Sequence, residues 1–92
     1  MSLSEDDSRH VDFNAPASLR KWPSTNNERR TEGRSPYLLM DATLEECLQA
    51  FLAKPERARH LYEVHTAPQP PLVTEILSLE QVVELARLQD FL

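Results

Sequence analysis

The residues best equipped for chemistry lie together in His60-Leu61-Tyr62-Glu63-Val64-His65, where two histidines flank a carboxylate. Such a set could bind a metal or move a proton. Histidines five apart on a helix sit about 140° apart, whereas two ligands of one metal on a helix face are spaced four apart. In a strand, an odd spacing sends them to opposite faces. No metal site is therefore predicted. A hydrolytic arrangement would need His65 as base and Cys47 or Ser78 as nucleophile, but neither sits in a nucleophile-elbow pattern, and Ser78 stands where a helix cap is needed. His65 is expected to pack with one ring nitrogen on a backbone carbonyl, and His60 to pair on the surface with Glu56 or Glu63. The carboxylate pairs Glu45-Glu46 and Glu80 with Glu84 belong on solvated helix faces. No catalytic residue and no cofactor are predicted, and the chain is not expected to be an enzyme; a small hydrolase centred on His65 stays as an alternative.

Composition narrows the remaining classes. Gly33 is the only glycine, which excludes glycine-rich phosphate loops and disfavours an antiparallel sheet with two-residue turns, since both need residues at positive φ. The net charge is −5 over 92 residues, unfavourable for whole-surface attraction to nucleic acid or anionic lipid. Residues 1 to 35 carry six acidic and six basic side chains, so the deficit lies entirely in residues 36 to 92. A single cysteine, Cys47, rules out an intramolecular disulfide and reads as a small buried side chain on an apolar helix face. The acidic start without an apolar run, and the lack of a stretch long enough to span a bilayer, make a cytoplasmic location the expectation.

The elements that would position these residues follow from periodicity. Residues 1 to 35 are polar, with Val11, Phe13, Leu19 and Trp22 scattered at no regular period, and read as a disordered arm. Tyr37-Leu38-Leu39-Met40 is the first continuous apolar run, so a small domain is expected over 36 to 92. Asp41 or Thr43 caps a helix whose apolar face is Leu44, Cys47, Leu48, Phe51 and Leu52, with Thr43 and Glu46 at capping-box spacing. Lys54-Pro55 ends it. A second, weaker helix is predicted over Glu56 to Thr66, supported by pairs such as Arg59 with Glu63. Prolines 68, 70 and 71 break it. Leu72 to Leu77 segregates at helical spacing but is also compatible with a strand. Ser78 with Gln81 opens a last helix, in which Leu79, Val82, Val83 and Ala86 form one apolar stripe and Leu85, Leu88 and Leu92 another.

The expected fold is mainly α, a bundle of three to four short helices after the arm. The alternative is α+β, with 37–40 and 72–77 forming a two-stranded parallel sheet joined by a right-handed crossover. A helix apolar over more than half its circumference must bury two sides. The function expected is thus a non-enzymatic protein-interaction module, self-associating or binding a protein partner through Leu85, Leu88, Phe91 and Leu92, with Trp22 in the arm as a further anchor. A nucleic-acid-binding protein using the basic Arg20–Arg34 stretch is the other alternative, disfavoured by the acidic domain.

Overall fold

The computed structural model describes residues 11–70 and 72–91, with the backbone alone described at Phe91. Its core element is a strand in the segment that reads as an arm: β1, Pro16–Lys21, whose Ala17 and Leu19 are buried. It is followed by a two-stranded hairpin, β2 (Ser24–Thr25) and β3 (Glu28–Arg29), and by β4, Tyr37–Thr43. Helix α1 spans Leu44–Leu52, and a 3-10 helix, Glu56–Leu61, leads into β5, Tyr62–Thr66. The two-residue β6, Ile76–Leu77, precedes helix α2, Leu79–Phe91.

The main sheet is antiparallel, in the order β4-β1-β5-β6. β1 pairs with β4 on one side and β5 on the other, so β4 and β5 run parallel with β1 between them. Leu19 lies between Met40 and Val64, and Val64 in turn faces Leu77. This row marks the covered face. α1 packs on β1, β4 and β5, and α2 on α1, β5 and β6. Phe51, Leu44, Leu48, Cys47, Val73 and Val82 complete a core in which each is at most 1 % exposed. A fully buried side chain of this size contributes about 1.5–3 kcal/mol.

The mainly α expectation is therefore wrong: the chain is a mixed α+β domain with a four-stranded antiparallel sheet. The parallel-sheet alternative fails as well, because strands β4 and β6 occupy opposite edges and never pair. Two physical causes account for the error. The first lies in Tyr62–Thr66, where Tyr62, Val64 and Thr66 are buried on the helix-covered face while Glu63 and His65 alternate to the other, a period of two set by pairing with distant β1. Only residues 56–61 of the predicted second helix are helical, and they are 3-10. The second cause is Asn26 and Asn27, both at positive φ (53° and 64°), which turn the β2–β3 hairpin without glycine. Asparagine tolerates the left-handed region, so one glycine did not forbid a two-residue turn. Residues 72–77 likewise contain no helix: Val73 bridges Gln69, and Ile76 pairs with His65.

Both other helices form where expected. Thr43 Oγ1 accepts the Glu46 N–H (3.2 Å) while the Glu46 carboxylate accepts the Thr43 N–H (3.1 Å), a complete capping box. The next two amides of α1, Leu44 and Glu45, donate to the Ala15 and Phe13 carbonyls (both 2.8 Å). The expected arm is thereby bound to the helix start, and described structure begins well before residue 36. Residues 1–10 lie outside the described part. At the other end, Arg59 donates to the carbonyls of Leu52 (2.7 Å) and Lys54 (3.0 Å) rather than pairing with Glu63. Ser78 precedes α2, with the Gln81 side-chain oxygen accepting both its N–H (2.9 Å) and its hydroxyl (3.0 Å).

Candidate functional site

The histidine–carboxylate string is split by the pleat of β5. Glu63 and His65 project to the face opposite the helices, and Cys47 lies on α1 within the core. His65 cannot serve Cys47 as a base through the sheet. Burial first, and the Glu46 and Asp41 carboxylates second, push the Cys47 thiol up to about 11, so it is neutral and inert. The Ser78 hydroxyl donates to the Gln81 side chain, which also accepts the Ser78 N–H at the start of α2. Among the described residues no cluster of three or more His, Cys, Asp or Glu has the placement of a metal site.

Glu63 instead organises a polar cluster. One carboxylate oxygen takes Arg29 Nη1 and the other faces His65 Nε2, each at 3.0 Å. Burial alone would raise the Glu63 pKa. The dipole of the Trp22 indole, the His65 contact and the Arg29 charge outweigh it, so the group lies below its ordinary value. The Trp22 Nε1–H itself is buried without a hydrogen bond of good geometry. Arg29 lies over the Trp22 ring, 5.7 Å from its centroid, and its Nε donates to the His60 carbonyl at 2.5 Å. His60 Nε2 meets the Asn27 carbonyl at 2.6 Å. The expected partners are thus exchanged: His60, not His65, is tied to a backbone carbonyl. Beside this cluster an open cleft of about 320 Å³ is lined by Arg29, His60, Ser78, Leu79 and Glu80. Asn27, Arg29 and His60 are engaged in holding the hairpin, and among the described residues no pair has the geometry of a nucleophile and its base.

The residues expected to bind a partner fare unevenly. Leu85 is 3 % exposed and belongs to the core, as does Val82, and Leu88 packs half-buried against it. Of the second stripe of α2, Leu85 is therefore covered and Leu88 partly covered by the chain's own fold. Trp22 is half-buried under Arg29, an internal packing residue. The Phe91 side chain and all of Leu92 lie outside the described part.

The surface that remains open is a different one. Among the described residues β4 borders the sheet and pairs with β1 alone, leaving its outer edge of N–H and C=O groups without strand partners there. Tyr37, Leu38 and Leu39 on it are 47, 47 and 42 % exposed. Leu39 is an extra residue between Leu38 and Met40, which face Arg20 and Leu19, so a bulge turns the strand there. The composition change at Pro36-Tyr37 was the sequence signal for this run, but nothing local said that it would lie at an edge. A second exposed group, Leu72, Ile76 and Leu79, lies around the two-residue β6, too short to offer a ladder.

Compared with known protein families, curated proteins and solved structures, the chain matches none. Among the described residues no helix is long and apolar enough to cross a membrane.

Proposed function

We propose that this chain is a non-enzymatic protein-interaction module that takes an extended segment of a partner protein along the free edge of β4. The observation that carries the reading is the run Tyr37-Leu38-Leu39, exposed on a seven-residue border strand. Added strands bind by main-chain hydrogen bonds, with alternate side chains in apolar contact for specificity. The C-terminal helix is the weaker docking element, because Val82 and Leu85 are spent inside the domain. A cytoplasmic setting goes with this reading, supported by a lone cysteine that is free and buried.

The test is an amide spectrum titrated with a synthetic strand peptide of alternating valine and lysine, cationic to suit the acidic chain. Shifts confined to the amides of residues 37–43, and abolished by Leu39→Lys, are the expected result. Shifts centred on α2, or none, would remove the proposal. Sedimentation at micromolar concentration, with and without Leu39→Lys, separates partner binding from edge-to-edge pairing of two copies.

A further inference from the structure

The β2–β3 hairpin contributes no residue to the apolar core among the described residues. It is held by polar contacts: Asn27 Nδ2 to the Arg57 carbonyl (2.8 Å), His60 to the Asn27 carbonyl, and Arg29 to the His60 carbonyl and to Glu63. Its residues Ser24 to Glu28 are exposed. Segments held this way open at low free-energy cost while a packed core stays closed.

We propose that the hairpin is a strap latched by Glu63, which lifts as a unit, with the sheet and both helices intact, when Glu63 loses its charge. Beside that carboxylate stand Arg29 from the hairpin and His65 on its own strand, with Arg20 its register neighbour on β1, while the His60 carbonyl of the 3-10 helix accepts from Arg29 Nε. Glu80, at the start of α2, shares the cleft with Arg29 and His60, and Glu28 adjoins Arg29 on the hairpin but is exposed. Acid removes the Glu63 anion, so the Arg29 guanidinium loses the charge that holds it. The attraction that keeps the strap down at neutral pH is lost in acid. Lifting the strap uncovers the Trp22 indole and widens the cleft beneath Arg29.

Trp22 is the only tryptophan of the chain, so its emission reports on the strap. On acidification of the full chain, the emission should shift to the red at a higher pH than the loss of far-ultraviolet circular dichroism. Glu63→Gln should show the red-shifted emission already at neutral pH with unchanged dichroism. It should also speed exchange of the Arg30 amide, which bonds the Pro23 carbonyl, by about tenfold or more, as expected for losing a charge-assisted hydrogen bond. The amides of Leu19 and Val64 should be unaffected. Emission and dichroism that move together in acid, or a Glu63→Gln chain with unaltered emission and Arg30 exchange, would overturn the proposal. Should Glu63→Gln not fold, exchange in the unaltered chain decides: an Arg30 amide that opens only together with Leu19 and Val64 excludes a strap.

Discussion

Glu63 and Cys47 lie at opposite faces of one sheet, and their titrations run in opposite directions. The Glu63 pKa is lowered in the folded chain, so its contribution to stability is complete above the ordinary carboxylate range and is lost as pH falls through the lowered value. Glu63→Gln should therefore flatten the acid limb of a stability–pH curve measured by urea unfolding, with little change in slope near neutrality. The Cys47 thiol is raised to about 11 and fully covered. It should resist an aromatic disulfide reagent at pH 8 in the native state and react at once in denaturant. Asn26 offers a third test at this scale, because its φ of 53° is one that a β-branched side chain tolerates poorly. Asn26→Val should cost about 1–2 kcal/mol in urea unfolding, as forcing such a residue into the left-handed region does, and Asn26→Gly should cost almost nothing. Neither asparagine stood out in the sequence, where glycine alone was counted as a source of positive φ.

Among the elements, the two α-helices were legible because their signals are local. Thr43 with Glu46 and Ser78 with Gln81 sit three residues apart, and each pair makes its side-chain contact within one helical turn. The strands were illegible for the opposite reason. Pro16–Lys21 alternates only weakly, with Ala17, Ser18 and Leu19 all buried and Arg20 half-buried, and nothing near it in sequence supplies its partners. Tyr62–Thr66 has the same dependence. The open face of α2 was misjudged as a consequence: two helices alone could not cover Leu85, but a sheet with two helices does. Leu85→Ala should accordingly lower stability by about 2–5 kcal/mol, the range for emptying a packed leucine site, with native peptide binding retained at temperatures where the variant is folded. A docking residue would show the reverse pattern, lost binding at unchanged stability.

For the whole molecule, the decisive feature is that β1 lies between β4 and β5 and contacts both. A chain starting at Pro36, which the composition boundary recommends as the domain, lacks this strand. It should show no cooperative thermal transition by circular dichroism, whereas the full chain should show one. The same arrangement has a kinetic side. Leu19 pairs with Val64, about 45 residues later, and at ordinary translation speeds that interval lasts roughly 2–9 s. Throughout it β1 waits for β5, and closure of such distant pairs is slow in itself. Until β5 emerges, β1 and the apolar run of β4 have no third strand and no completed core to hold them, which makes the nascent chain, more than the finished fold, the state in which unwanted strand pairing is most dangerous.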